Sequence, residues 1–361
     1  PTTGSAAARE YLAQMRSKET GNKLSAENII FFNGLGDAIT KIYTWLNPIA
    51  RVLGPNPAYP THSSIEGAHG RSRHMTYNLD PNQGWLPDMK DIRNKVKYNP
   101  SIAGLLIINP DNPTGTVYPK QILEEFVAIA KEYNLFLIAD EIYANLAFKP
   151  DDFLSIAEIA DNIPTMIMRG LSKEVPWPGS RCGWVEFYNS DSDADYATYI
   201  QSIENAKMNE VCSTTLPQAV LPKILSDDRY EPHLELRRQK YQARAKMAAE
   251  VFNNSKYLRV AEPKGAFYLS VTFTDEYLNN PVRLQASNDQ ANELLKEELG
   301  KDPEAAVDKI FCLELLAATG ICTVPLSSGF NSHVQGFRMT LLEENDDVFQ
   351  DTLKKIVEIL N

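Results

Sequence analysis

Short apolar runs alternate with amphipathic stretches through the first half of the chain. The runs "AGLLIINP" (103–110), "LFLIAD" (135–140), "TMIMRG" (165–170) and "CGWVEFY" (182–188) are rich in Ile, Leu, Val and Phe. Separated by helix-like segments, they predict parallel strands joined by crossover helices. Between the first two lies "PKQILEEFVAIAKEYN", opened by Pro119, in which Ile122, Phe126, Ile129 and Tyr133 follow one face. That spacing predicts an amphipathic crossover helix. In "GLGDAITKIYTWL", Ile39, Ile42, Tyr43 and Leu46 form one stripe after a glycine-bearing turn. The start of such a helix can hold an anion.

The texture changes after "YEPHLELRRQKYQARAKMAAEVFNN" (230–254), whose charge and alanine content predict a long helix. Alternation in "GAFYLSVTF" (265–273), a helical stretch near 288–298, and "GFRMTLL" (336–342) predict a smaller α+β unit. The reading is an α/β protein with a large domain over residues 1–245 and a small one over 246–361. Neither an internal repeat nor a low-complexity stretch interrupts it.

Composition narrows the chemistry. A chain of 361 residues, 43% hydrophobic, can bury a large core, and its length suggests two domains. The net charge of −11, with no block of five basic residues, argues against a nucleic-acid or anionic-membrane surface. Small-molecule chemistry fits better. Four cysteines without a C-x-x-C and five histidines without metal-ligand spacing predict a reduced, cytoplasmic protein with no structural metal. No run of roughly 18 apolar residues is present, and "PTTGSAAARE" has neither a basic n-region nor an apolar h-region. Neither membrane insertion nor export is expected.

The candidate chemistry sits at strand ends. "INPDNPTGTVYP" (108–119) follows a strand directly and displays Asn112, where ligands of open α/β sheets bind. The next strand ends in "ADEIY", placing Asp140 and Tyr143 on the same rim, and the one after it ends in "GLSK". In "RGLSKEVPWPGSRCGW", Lys173 and Arg181 lie eight residues apart around two prolines. Three successive strands thus aim polar side chains at one crevice.

With these in order stand "GSAAARE", "NGLGDAI", "NPAYPTH", "NPDNPTG", "ADEIY", "GLSK" with "GSRCGW", "KGAFY" and "GFRMTL". The set resembles the class I/II aminotransferases of the pyridoxal-phosphate fold type I superfamily, over essentially the whole chain and closest in style to the tyrosine and alanine aminotransferase branch. The resemblance implies a large domain built on a mostly parallel seven-stranded sheet flanked by helices, and a smaller α+β domain. It implies pyridoxal 5′-phosphate as cofactor, an amino acid and a 2-oxo acid as substrates of a ping-pong exchange, and a homodimer with shared sites.

Residue by residue, it implies that Lys173 forms the Schiff base and shuttles the proton. Such a lysine must lose its charge near neutral pH through partial burial. Asp140 would keep the pyridine nitrogen protonated, His62 would hydrogen-bond Asp140 from behind, and Tyr59 would stack on the ring. Asn112 and Tyr143 would hold the phenolic oxygen. The phosphate would receive Arg181 and the backbone amides of Leu35 and Gly36, with Gly34 and Gly36 permitting close approach. Arg338 would clamp the substrate carboxylate, with Asn112 beside it.

The chain also departs from that pattern. Gly170 stands where the family commonly has a phosphate-binding serine, leaving Ser172 as the nearest hydroxyl. Pro176, Pro178 and Cys182 are further differences in the lysine loop. The family also carries several dozen residues ahead of the segment matching "PTTGSAAARE", among them a substrate-closing glycine loop and a tyrosine that reaches the neighbouring subunit's phosphate. Other outcomes on the same fold are a lyase, decarboxylase or synthase, or a cofactor-binding regulator without turnover.

Overall fold

The computed structural model describes residues 2–360. Strands β1 (Ile29–Asn33), β2 (Arg51–Asn56), β3 (Thr76–Asp80), β4 (Leu86–Pro87), β5 (Ile102–Ile108), β6 (Phe136–Asp140), β7 (Thr165–Gly170) and β8 (Cys182–Tyr188) make one sheet. Their order is β1-β8-β7-β6-β5-β2-β3-β4. The pairs β3/β2, β2/β5, β5/β6 and β6/β7 are parallel. Helices cover both faces of such a sheet, so its central strands are continuous apolar runs; every residue of β7 is buried.

Two details differ from the sequence reading. The sheet has eight strands rather than seven, the extra one being the two-residue β4, which pairs antiparallel with β3. Strand β8 is antiparallel to β7, with Gly170 opposite Gly183. The segment from Leu171 to Arg181 contains only a 3-10 turn at Pro178–Ser180. Without a crossover helix, the chain can only return in the opposite direction.

Eight helices follow in order: α1 (Ala6–Thr20), α2 (Leu35–Thr44), α3 (Pro60–Gly70), α4 (Met89–Tyr98), α5 (Lys120–Tyr133), α6 (Ala194–Lys207), α7 (Thr215–Leu225) and α8 (Tyr230–Asn253). Helix α2 buries Ile39, Ile42 and Tyr43 as its stripe predicts. Helix α5 buries Leu123, Phe126, Ile129 and Ala130, leaving Ile122 and Tyr133 at the margin. The row through 123, 126 and 130 is as periodic as the row through 122, and only packing on the sheet decides between them.

Beyond α8, strands β9 (Leu258–Val260), β10 (Tyr268–Phe273), β11 (Val324–Pro325) and β12 (Gly336–Thr340) form an antiparallel sheet ordered β11-β12-β10-β9. The expected boundary near residue 245 falls inside α8, which is continuous. Its Leu234, Tyr241, Ala245 and Phe252 share one apolar cluster with Tyr143 and Leu146 after β6, with Phe267 just ahead of β10 and with Leu269 within it.

A buried ion network ties α1 to the large sheet. Arg16 is 2% exposed and donates Nε–H to both Glu186 carboxylate oxygens at 2.9 and 3.0 Å. Glu186 also accepts from Trp184 Nε1 and Tyr188 Oη. Glu141, next to Asp140, accepts from Arg169 Nη2 at 2.7 Å and from the Ser155 hydroxyl. These pairs span β6, β7 and β8, the strands whose ends carry the candidate chemistry. Removing one partner of a buried pair leaves the other charge stranded. Arg16→Met is therefore expected to lower unfolding free energy by about 3–5 kcal/mol, measured by denaturant titration, whereas Arg93→Met at the exposed Arg93–Glu132 pair changes it by less than about 1 kcal/mol.

Candidate active site

The C-terminal ends of β5, β6 and β7 converge on a cleft of about 270 Å³. Its walls include Leu35 and Gly36 from α2, Tyr59 and Thr61 at the start of α3, and Asn112, Asp140, Tyr143, Ser172, Lys173 and Arg181.

Each wall residue is held by local chemistry. After β5 the chain folds into a tight loop in which Asp111 accepts hydrogen bonds from the amide and hydroxyl of Thr114. Burial pushes the Asp111 carboxyl up to about 7, while the Thr114 donors oppose the shift. The amides of Lys264 and Gly265 donate to Gly115 O, and the Ser270 hydroxyl donates to Pro113 O, clipping this loop to β10. Asn112 is thereby set opposite β12, where its Oδ1 accepts from Arg338 Nη1 at 3.0 Å. Arg338 lies between the rings of Tyr268 and Phe330, 4.5 and 4.9 Å from their centroids. Burial lowers its pKa, and its Nε is buried with no partner, which leaves donor capacity for a carboxylate.

Asp140 ends β6 and is 4% exposed. Its Oδ1 accepts from the Ile142 amide at 3.2 Å, and its Oδ2 lies 3.3 Å from His62 Nε2 on α3. Tyr59 meets His62 edge-on at 6.2 Å and presents its ring to the cleft.

Lys173 leaves β7 on a three-residue turn and is partly buried. Its Nζ lies 5.8 Å from the Tyr143 ring centroid and 5.7 Å from that of Phe267. Burial lowers its pKa; the Asp140 charge opposes that shift and the Arg338 charge adds to it. Tyr143 Oη donates to Tyr268 Oη at 3.1 Å, and burial raises the Tyr143 phenol well above its usual value.

At the other end of the cleft, the exposed Arg181 donates Nη1 to Pro178 O and Nη2 to Asn33 O. Gly34 caps α2 at φ 83°, and a Cβ there would collide with the Arg181 guanidinium. The Leu35 and Gly36 amides come before Asp37, the first amide to bond back to Gly34 O, and a Cβ on Gly36 would meet nothing within 4 Å. A guanidinium thus stands beside open helix-start amides, which is an anion-binding arrangement.

The Gly170 departure has a steric cause. A Cβ at Gly170 would lie 2.8 Å from Cys182 O, and one at Gly183 would lie 3.0 Å from the Leu35 amide nitrogen. The glycine pair lets β7, β8 and the start of α2 meet without side chains, so a serine does not fit at 170. Ser172 lines the cleft instead. Neighbouring Cys182 is buried, which pushes its thiol up to about 12.

All twelve residues singled out from the sequence, Gly34 to Arg338, are therefore gathered in or around one cleft. Tyr268 and Phe330, which flank Arg338, were missed. Tyr268 reads only as one step of the β10 alternation, and Phe330 belongs to no periodic stretch. Among the described residues, no cluster of three His, Cys, Asp or Glu side chains could hold a metal ion, and no helix is long and apolar enough to cross a membrane.

Comparison with known proteins defines the class. The aminotransferase class I and II family model matches residues 1–347. An uncharacterized aminotransferase of Methanocaldococcus jannaschii is 46% identical over 364 residues, covering 100% of this chain and 83% of that protein. Glutamate-pyruvate aminotransferase AlaA of Escherichia coli is 30% identical over 264 residues, covering 73% of this chain and 64% of that protein. A crystal structure of an aminotransferase from Escherichia coli superposes with a TM-score of 0.83 at 25% identity, covering 99% of this chain and 81% of that one. The architecture is that of the pyridoxal-phosphate enzymes of fold type I. The chain belongs to the class I and II aminotransferases, and its cofactor is pyridoxal 5′-phosphate.

The donor set fits that cofactor. The cleft holds an anion cradle at one end, a buried carboxylate for a ring nitrogen, and an amine of lowered pKa between them. Because Asp140 raises and Arg338 lowers the Lys173 pKa, the cofactor-free protein gives a signed expectation. Lys173 is labelled by an amine-reactive reagent at lower pH than the exposed Lys90; Asp140→Asn moves the midpoint lower still, and Arg338→Ala moves it higher. Peptide mass spectrometry across a pH series reads the order.

Proposed function

We propose that this transaminase works by a two-stage exchange, releasing a 2-oxo acid before a second one binds. The observation that carries the reading is the convergence of Lys173, Asp140 and Arg181 in one cleft, with Arg338 bonded to Asn112 at its edge. Pyridoxal phosphate, when bound, supplies an aldehyde that captures an amine and a protonated ring that accepts an electron pair.

The chain's own residues would do the following. Arg181 and the Leu35 and Gly36 amides hold the phosphate, with Gly34 and Gly36 leaving room for it and Ser172 within reach. Asp140, fixed from behind by His62, holds a proton on the ring nitrogen, and Tyr59 covers one ring face. Asn112 would donate to the phenolic oxygen, as would Tyr143 once its hydroxyl turns from Tyr268. Arg338 takes the substrate carboxylate in a two-pronged hydrogen bond and so orients Cα–H toward Lys173. As a free amine, Lys173 takes that proton, and burial shifts it toward that form.

The donor and acceptor to try first are glutamate and pyruvate, from the name of the AlaA relative. Four free cysteines, two of them buried, agree with a reducing cytoplasmic setting. A homodimer is supported by the exposed Met208, Val211 and Leu216, which flank the Arg181 end of the cleft. That same segment bonds to the cleft wall, where the Thr214 amide donates to Asn33 Oδ1 and its hydroxyl to Arg181 O.

Two measurements test this. With no acceptor present, an amino-acid panel offered to the holoenzyme is expected to release one equivalent of 2-oxo acid per site, and Lys173→Ala none. Release of ammonia or carbon dioxide in its place makes the protein a lyase or decarboxylase. By light scattering the protein is expected to be a dimer that Val211→Glu weakens, with cofactor affinity falling alongside; a monomer of full affinity ends the shared-site reading.

A further inference from the structure

The α2 stripe contains one residue that differs in kind from its neighbours. Tyr43 is 1% exposed, and its ring packs with Ile39 and Ile42. Its hydroxyl lies 3.3 Å from His62 Nδ1, with the two rings edge-on at 6.0 Å. On the far side of the imidazole, His62 Nε2 lies 3.3 Å from Asp140 Oδ2. All three side chains are nearly sealed from solvent, His62 being 3% exposed. Tyr43 Oη, His62 and Asp140 thus form a line leading out of the core to the floor of the cleft.

We infer that Tyr43 is a positioning residue that fixes the tautomer of His62 and thereby aims an N–H at Asp140. An ionised carboxylate only accepts hydrogen bonds, so Nε2 must carry the proton that faces Asp140. A neutral imidazole then has a lone pair on Nδ1, and the Tyr43 hydroxyl is the group placed to donate to it. In that arrangement every polar hydrogen in the line has an acceptor. With both ring nitrogens protonated, Nδ1–H would point at the Tyr43 oxygen, and the Tyr43 proton would be buried without a partner, a costly state. The other carboxylate in the vicinity, Glu66, is occupied by Arg51 through a 2.6 Å bond and does not compete for Nδ1. The line therefore selects one neutral tautomer, and it leaves Asp140 gripped on both oxygens, by the Ile142 amide and by His62.

Phenylalanine at 43 keeps the ring packing and removes only the hydroxyl. The Nδ1 lone pair then lacks a buried donor, and the tautomer that turns a lone pair toward Asp140 becomes competitive.

The inference rests on the role proposed for Asp140, but its first test needs neither cofactor nor turnover. In cofactor-free protein labelled with ¹⁵N-histidine, with the His62 signals assigned by His62→Ala, the native protein is expected to show a single Nε2–H tautomer. Tyr43→Phe is expected to show a mixture. In the loaded enzyme, Tyr43→Phe is expected to weaken pyridoxal-phosphate affinity by about three- to tenfold and to lower kcat more than it raises the amino-acid KM. In a His62→Ala background, with no imidazole left to orient, the same substitution has no further effect on affinity. Unchanged His62 shifts in Tyr43→Phe overturn the inference, as does an affinity loss that persists without His62. Altered shifts with unchanged affinity keep the tautomer line and remove the role proposed for Asp140.

Discussion

An amine held between two aromatic rings and facing a buried carboxylate is the tension around which this molecule is arranged. Desolvation pulls Lys173 toward its neutral form, and the charge of Asp140 pulls it back. Neither influence can be strong alone: without burial the amine stays charged and unreactive, and without the carboxylate the cleft loses the group that would fix a cationic ring. The balance requires both side chains to stay in place. Asp140 is anchored at the end of β6 by a backbone amide and an imidazole, and Lys173 by a short turn at the end of the adjacent β7.

The rigidity of those strand ends has its own foundation. The pairs Arg16–Glu186 and Arg169–Glu141 lie directly beneath them, and Glu141 is the residue after Asp140. Buried ion pairs are a poor source of net stability, but they penalise any shift that separates the partners. Here they join α1, β6, β7 and β8 into one body. On the other side, the loop after β5 is clipped to β10, so Asn112 of that loop meets Arg338 of the second sheet.

Much of this was legible in the chain. Strand ends, crossover helices and the polar residues displayed between them follow from period and position, and the ordered motifs pointed to the same residues the cleft collects. The direction of β8 was not legible, because an apolar run buried on both faces reads the same either way along. The buried face of α5 was ambiguous by one residue for a similar reason. Tyr43 shows the deeper limit. Within a stripe of Ile39, Ile42 and Leu46 it reads as a hydrophobic position, which it is; that its hydroxyl also reaches an imidazole on α3 depends on how two helices pack. Tyr268 was hidden likewise, since strand alternation shows which face a residue takes but not that an arginine from the next strand lies on its ring.

The bare contact between Gly170 and Gly183 also limits where an anion can be gripped. A side chain at 170 would run into the β8 backbone at Cys182 and Gly183, and one at 183 would run into the start of α2, so a hydroxyl at 170 would wedge β7 from β8. Anion capture at this end of the cleft would then fall to the guanidinium of residue 181 and the opening turn of α2, neither of which asks for space between the two strands.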